Sequence, residues 1–244
     1  MKQRNNFNIV SLLLRLSVLF TVFFSSGAHA YALNHALNHA SDPVNDQAVA
    51  DKIIRATRFD DIQKITQFAQ QGGDLNLAEP ERGETLLMIC IRENSSKVFD
   101  FLLLHPKINL NQRAKNGDTA LMLAAYLEQK ELVQRLVGAG AQVNQSGWSA
   151  LHYASVVGNY PIMAYLLEQH AEVNAETPNK TTSLMLAARR GEMATVKLLL
   201  DAGADVSLKN MLGWTAYDFA IEAERRDISA FLQERMQAKV MRRK

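Results

Sequence analysis

The sequence is poor in cysteine and proline, and each shortage narrows the kinds of protein that it can encode. Cys90 is the only cysteine, so no disulfide bond can form within one chain. Because an exposed lone thiol is a liability in an oxidising compartment, we predict that Cys90 is buried. With five prolines, 48% hydrophobic and 21% charged residues, the composition is that of a globular protein rather than a disordered chain.

The motifs that mark common catalytic sites are also missing. The sequence has no H-E-x-x-H zinc motif, no G-x-S-x-G nucleophile motif and no glycine-rich phosphate loop. Residues 138–141 read Gly-Ala-Gly-Ala, a pattern that fits the end of a helix better than a phosphate site. We therefore predict that the protein is not an enzyme and needs no cofactor.

The apolar runs are too short for a stable membrane span, which needs about 20 residues. The longest follows an N-terminal segment whose only charges are Lys2, Arg4 and Arg15. It runs from Leu16 to Phe24 and leads into small residues around Ala30. This is the layout of a secretory signal peptide at 1–30, cleaved after Ala30 or after Ala32. An uncleaved membrane anchor is the alternative, and we expect the mature protein in a bacterial periplasm or outside the cell.

The formal net charge of +2 misrepresents the body of the protein, because basic residues concentrate at the two ends. Without residues 1–30 the net charge is −1, and without the last ten residues as well it is −6. Nucleic-acid binding requires basic residues clustered over the binding face. We therefore expect no nucleic-acid partner.

A repeated pattern runs through most of the chain. Five segments align at intervals of 34, 30, 33 and 33 residues, and they read ETLLMICI, DTALMLAA, WSALHYAS, TTSLMLAA and WTAYDFAI. The second residue of each segment is its anchor: Thr85, Thr119, Ser149, Thr182 and Thr215. A leucine follows each anchor by 17 residues, at Leu102, Leu136, Leu166, Leu199 and Leu232. The fixed register indicates an array of one structural unit.

The fourth unit shows most clearly what each unit forms. Leu184, Ala187 and Ala188 make an apolar stripe at helical spacing, and Gly191 follows as a helix breaker. A second apolar stripe ends before Gly203, where a C′ glycine would stand. The pattern predicts two short helices with a threonine cap at the start of the first. One such pair buries too little surface alone, so neighbouring units must stack.

This pattern resembles the ankyrin repeat, a unit of about 33 residues with a T-P-L-H-x-A signature. The resemblance implies an all-α solenoid of helix-turn-helix units with β-hairpin fingers. No repeat keeps the proline, and His152 alone keeps the histidine. We therefore expect the Thr–His hydrogen bond to be lost in most repeats, and a shortened finger at 144–147. The predicted organisation is a signal peptide at 1–30, a flexible segment at 31–46, an ankyrin domain at 47–233 made of a cap at 47–76, repeats at 77–111, 112–144, 145–174 and 175–207 and a C-terminal repeat or cap at 208–233, and a basic tail at 234–244.

The resemblance also implies where a partner binds, since ankyrin proteins hold partners with finger tips and the outward positions of the first helices. In the second and third repeats these positions are apolar, which is typical of an interface. The candidate partner-binding residues are Tyr126, Leu127, Trp148, Val156, Val157, Arg189, Arg190 and Trp214. The alternative for each tryptophan is that it braces adjacent fingers.

Two terminal segments carry weaker hypotheses. His35 and His39 lie four residues apart and would share a helix face, so they could bind Zn²⁺ or Cu²⁺, although a mobile terminus is the simpler interpretation. The basic tail at 234–244 would touch an anionic membrane or an acidic partner, or it is only the end of a capping helix.

These observations favour a periplasmic, monomeric adaptor that binds another protein through its concave face. Resemblance to periplasmic ankyrin proteins adds a link to oxidative-stress defence as an expectation. The alternative is a secreted ankyrin effector that acts on a host or competitor protein.

Overall fold

The computed structural model describes residues 43–241. The predicted signal peptide, the cleavage points after Ala30 and Ala32, the histidines His35 and His39 and the last three residues of the basic tail lie outside the described residues. The repeats belong to one compact unit that begins at Val49. None of the helices within 43–241 has the length and apolarity needed to cross a membrane.

The described chain is a succession of short helices, which confirms the predicted all-α class. They are α1 Pro43–Arg58, α2 Ile62–Gln70, α3 Leu86–Glu93, α4 Ser96–Leu104, α5 Ala120–Tyr126, α6 Lys130–Gly138, α7 Ala150–Val157, α8 Tyr160–Glu168, α9 Ser183–Arg190, α10 Met193–Asp201, α11 Ala216–Glu222 and α12 Arg226–Met241. Between residues 43 and 241 the one β-bridge joins Ala78 to Thr85. The helix α1 begins inside the segment that the sequence assigned to the flexible terminus.

The anchors act as N-caps of the first helices. The Oγ1 atoms of Thr85, Thr119 and Thr182 accept hydrogen bonds from the backbone N–H three residues later, at 3.3, 3.4 and 3.4 Å. Each such cap stabilises a helix by about 1 kcal/mol. The helix α9 ends at Gly191, whose φ is +91°, and Gly203 after α10 has a φ of +94°. Both glycines stand where the sequence predicted helix ends.

The core is continuous from one repeat to the next. The five leucines that follow the anchors by 17 residues are fully buried in the second helices of their units. On the first helices, small residues such as Ala124, Ala125, Ala187 and Ala188 are also fully buried, which lets neighbouring helices approach closely. The first helices α5, α7, α9 and α11 contact one another in that order, so each repeat covers the apolar face of its neighbour.

Asparagine side chains link successive units at their junctions, a device that the repeat pattern alone did not indicate. In each case Oδ1 accepts the backbone N–H of the unit that follows, over 2.7–2.8 Å. The pairs are Asn76 with Asn109, Asn111 with Gln142, Asn144 with Glu172, and Asn174 with Asp205. These bonds satisfy junction N–H groups outside the helices and hold the register between units.

Cys90 lies in the core on α3 with 1% of its surface exposed, as the sequence predicted. Burial raises the pKa of its thiol far above the ordinary value. The reactive thiolate is therefore suppressed in the folded protein.

The basic tail is helical as far as it is described, because α12 continues to Met241. Met236 packs against the core, and the ammonium group of Lys239 forms an ion pair with the carboxylate of Asp205. The hydrogen bond from Lys239, followed by one from Ser207, lowers the pKa of Asp205 to about 2. Part of the tail's positive charge is thus paired within the solenoid.

Candidate partner-binding groove

Three positions in each repeat meet on one surface, which we call the groove surface. They are the finger residue before the anchor and the residues four and seven positions after it. The last two share one face of the first helix because they are three residues apart. The finger residues are Glu84, Asp118, Trp148, Thr181 and Trp214; the others are Ile89 and Arg92, Leu123 and Tyr126, Tyr153 and Val156, Leu186 and Arg189, and Phe219 and Glu222.

An aromatic cluster occupies the middle of the groove surface. The ring of Tyr153 on α7 lies 5.7 Å from the ring of Tyr126 in an edge-on arrangement. On its other side Tyr153 lies 5.2 Å from the ring of Trp148, at an interplanar angle of 36°. The structure therefore brings Tyr126 and Trp148 together through a residue that joins two repeats. Tyr126 remains 48% exposed, so the cluster presents aromatic surface to solvent.

Tyr153 is a groove residue that the sequence prediction missed, although helical spacing offered a signal. It lies three residues before Val156 on the same helix and therefore on the same face. The prediction included only the two positions that follow the small pair at the end of each first helix. The residue one turn earlier supplies the centre of the cluster.

A carboxylate borders the aromatic cluster. The hydroxyl of Tyr153 donates a hydrogen bond to Oδ1 of Asp118 over 2.6 Å, and the side-chain amide of Asn116 donates to Oδ2 over 2.5 Å. Burial, followed by the bond to Asp118, raises the pKa of Tyr153 well above its ordinary value. The phenol therefore stays a hydrogen-bond donor, and it holds the Asp118 carboxylate beside the cluster.

The charges on the groove surface are paired in the flanking repeats and differ in the middle. In the first repeat Glu84 accepts two hydrogen bonds from Arg92, at 2.5 and 3.2 Å. In the fourth and fifth repeats Arg189 pairs with Glu222 at 3.5 Å. In the second repeat Tyr126 stands where Arg92 stands in the first, and no ion pair to Asp118 is present among residues 43–241.

The two arginines predicted at the rim are exposed and already engaged. Arg189 pairs with Glu222, and Arg190 lies 3.7 Å from the carboxylate of Glu192. All four side chains are about half exposed, and ion pairs of this kind contribute roughly 0–1 kcal/mol. Either arginine can therefore exchange its internal partner for an acidic group of another protein at little cost.

The aliphatic candidates differ in how much surface they offer. Val156 is 36% exposed and lies one turn beyond Tyr153. Val157 is half-buried, and Leu127 is half-buried and packs against the core. Val156 therefore contributes more accessible apolar surface than Val157 or Leu127.

The last finger extends the apolar surface beyond the predicted residues. Trp214 is 39% exposed and contacts Phe219 edge-on at 5.9 Å. The finger tip carries Met211 and Leu212, which are 70% and 74% exposed. Asn210 holds this turn by accepting the N–H groups of Leu212 and Trp214. The sequence prediction covered only the residue before each anchor and so did not include this tip.

Trp148 contacts its own repeat. Besides Tyr153, its ring lies 5.8 Å from the ring of His152. Neighbouring fingers are instead linked by backbone bonds, from Lys115 to Arg82 and from Met211 to Asn179. The turn that carries Trp148 is also irregular: in the described chain it has no counterpart of the bond that closes the next finger between Thr177 and Thr181.

His152 is fully buried beneath the cluster and links two repeats. Its Nδ1 accepts the backbone N–H of Ser149, and its Nε2 lies 3.0 Å from the carbonyl oxygen of Ala175 in the following unit. A carbonyl can only accept, so the neutral ring carries its proton on Nε2. In the fifth repeat Asp218 performs the capping role, because it accepts both the N–H and the hydroxyl of Thr215.

We expect the free energy of unfolding to fall as the pH drops below about 6.5. Burial lowers the pKa of His152 below its ordinary value of about 6.5, so the unfolded chain takes up a proton that the folded chain refuses. The stabilisation is present above about pH 6.5 and is lost at up to about 1.4 kcal/mol per pH unit below it. Urea unfolding at about pH 7.5 and pH 5.5, on either side of that value, measures the loss. A His152→Gln variant should show a smaller difference between the two pH values, and an equal difference would contradict this role.

No group of three or more histidine, cysteine, aspartate or glutamate side chains that could hold a metal ion exists in the part of the chain that the structure describes. The histidine pair His35 and His39 lies outside that part and stays a hypothesis.

Comparison with known proteins identifies the repeats. A family model described as ankyrin repeats (3 copies) matches residues 47–145, 87–177 and 164–244. The chain is 32% identical to human SH3 and multiple ankyrin repeat domains protein 2 over 159 residues, which are 64% of this chain and 9% of that protein. It is 41% identical to rat ankyrin repeat and SAM domain-containing protein 6 over 119 residues, 48% of this chain and 13% of that protein.

A bacterial relative is also similar. An ankyrin repeat-containing protein of Treponema pallidum (strain Nichols) is 34% identical over 108 residues, which are 43% of this chain and 36% of that protein. The chain thus spans only a minor part of the length of these relatives.

Proposed function

The chain belongs to the ankyrin-repeat family, whose repeats generally mediate protein–protein interactions, and we propose that it is an exported adaptor that binds one protein through its groove surface. The observation that carries this proposal is the partly exposed cluster of Tyr126, Trp148 and Tyr153, with Val156 one turn away. Aromatic side chains of this kind dominate binding energy in protein interfaces. Arg189, Arg190, Trp214 and the finger tip at Met211 and Leu212 would form the outer part of the same interface.

The proposed adaptor has no catalytic role and acts as a monomer. Ankyrin-repeat proteins are typically non-enzymatic scaffolds. The family resemblance noted above adds oxidative-stress defence as the proposed context, in which the partner would be an enzyme of that defence. The acidic body and the paired basic tail support a protein partner rather than nucleic acid.

The location of the protein is the first thing to test. The charge and hydropathy pattern of residues 1–30 supports export, so we expect mature protein that begins at Tyr31 or Leu33 in the osmotic-shock fraction of the native bacterium. N-terminal sequencing of the protein from each cell fraction measures this. Recovery mainly from the culture medium would replace the periplasmic adaptor by the secreted effector, and full-length protein in the cytoplasm would contradict both.

The partner is then found by affinity capture. Mature protein immobilised through its C-terminus should retain one periplasmic protein in stoichiometric amount, which mass spectrometry identifies. The matched control is a double variant on the outer helices, Leu104→Asp with Tyr160→Ala, which removes apolar surface that is equally exposed but lies away from the groove surface. Retention by this control and loss in the groove variant described in the Discussion would locate the interface.

A further inference from the structure

The middle of the groove surface combines aromatic faces with a carboxylate that lacks a cationic partner within the described chain. We propose that Asp118, Tyr126, Trp148 and Tyr153 together form a pocket for one cationic side chain, arginine or lysine, of the protein partner. This inference deepens the proposed function and rests on it, because it takes the groove surface as the partner's site.

Asp118 differs from the acids of the neighbouring repeats in what stands beside it. Where a finger acid occurs in the first repeat, Glu84, an arginine seven residues after the anchor neutralises it. The same position of the second repeat is Tyr126, so an aromatic ring replaces the guanidinium group there. The Arg189–Glu222 pair completes the pattern on the other side. The charge left for a partner to neutralise lies in the centre of the groove surface.

The rings of the cluster supply a second attraction for a cation. The negative face of an aromatic ring attracts a cation within about 6 Å of its centroid, and tryptophan and tyrosine attract it most strongly. In residues 43–241 the cations placed over rings lie at Phe99 and Phe231, away from this cluster. The faces of Tyr126, Trp148 and Tyr153 therefore have no cation from within the described chain.

The acid and the rings are also preorganised. The Tyr153 hydroxyl and the Asn116 amide each hold one oxygen of the Asp118 carboxylate, so the acid is oriented before a ligand arrives. Tyr153 itself is fixed between Trp148 and Tyr126. A ligand cation thus meets a charge and rings already in place, which reduces the entropy lost on binding.

The experiment uses the two tryptophans as reporters. ¹⁵N-labelled exported protein is titrated with N-acetyl-L-arginine amide, with the lysine equivalent, and with the neutral isostere N-acetyl-L-citrulline amide. The indole N–H signal of Trp148 should shift saturably with the cations, and citrulline should bind at least about fivefold more weakly. The signal of Trp214, assigned with a Trp214→Phe variant, should stay in place.

Variants separate charge from apolar contact. Asp118→Asn keeps the size and the acceptor for Tyr153, and it should weaken cation binding at least about fivefold. Tyr126→Leu keeps apolar bulk but removes a ring face, and it should weaken binding about threefold or more. Asp201→Asn removes an exposed acid on an outer helix and should leave binding unchanged. Circular dichroism checks that each variant is folded.

Equal binding of citrulline and arginine, or unchanged binding by Asp118→Asn, would overturn the cation pocket. So would a probe that shifts Trp214 as much as Trp148. These outcomes leave the proposed function intact if a partner is still captured and groove variants still release it. Conversely, a cation pocket with no captured partner would count against the adaptor function alone.

Discussion

Replacing Tyr126 by alanine and Val156 by aspartate together is expected to weaken capture of the protein partner by at least about a hundredfold. Tyr126 is 48% exposed and Val156 is 36% exposed, and both lie beside Tyr153 on the groove surface. The first substitution removes an aromatic contact, and the second places an unpaired charge in the apolar centre of the interface. Desolvating such a charge on binding is costly. Calorimetric titration with the identified partner measures the loss.

The same double variant should remain folded, because neither side chain belongs to the buried core. Trp148 is a poorer choice for this test, since its ring packs on both His152 and Tyr153 and its removal would disturb the fold. The outer-helix variant Leu104→Asp with Tyr160→Ala serves as control and should bind normally. A partner that binds the groove variant with native affinity would place the interface elsewhere.

A second large effect is expected on stability, from Leu102→Ala. Leu102 on α4 is fully buried, so its truncation removes apolar contacts and leaves a cavity that costs about 3 kcal/mol of unfolding free energy. Because each repeat is stabilised mainly by its neighbours, the loss also weakens the interfaces with the units on either side. Urea denaturation followed by circular dichroism measures the midpoint and the slope.

The same helix supplies the control. Leu104→Ala makes the identical chemical change at a residue that is 82% exposed, so its effect should lie within about 0.5 kcal/mol. Similar losses from the two substitutions would mean that the 17-residue leucine position does not mark the core of the stack.

The parts of the fold that were predictable are those that depend on local spacing. Apolar residues at helical intervals around Leu184 and Ala188 indicate a helix whatever surrounds them, and Gly191 tolerates the positive φ that ends it. The burial of Cys90 followed from its place in the apolar stripe of the first repeat. A repeat protein suits such reasoning, because contacts reach only to the next unit.

The groove surface was only partly predictable, because its chemistry comes from residues of different repeats. Tyr153 and Asp118 are 35 residues apart, and no spacing rule for one helix connects them. The exposure of Val156 compared with Val157, and the internal pairing of Arg189 and Arg190, depend on how adjacent units are rotated against each other.

The sequence by itself determined the class of the fold, the register of its five anchors and the general position of the binding surface, because periodicity and capping are local properties of the chain. Tertiary structure alone decided which of the candidate residues meet, that Tyr153 joins Tyr126 to Trp148, and that Asp118 is left without a cation from the described chain. The physical reason is that hydrogen bonds and ring contacts act over a few ångströms, and only stacking brings residues of successive repeats within that range.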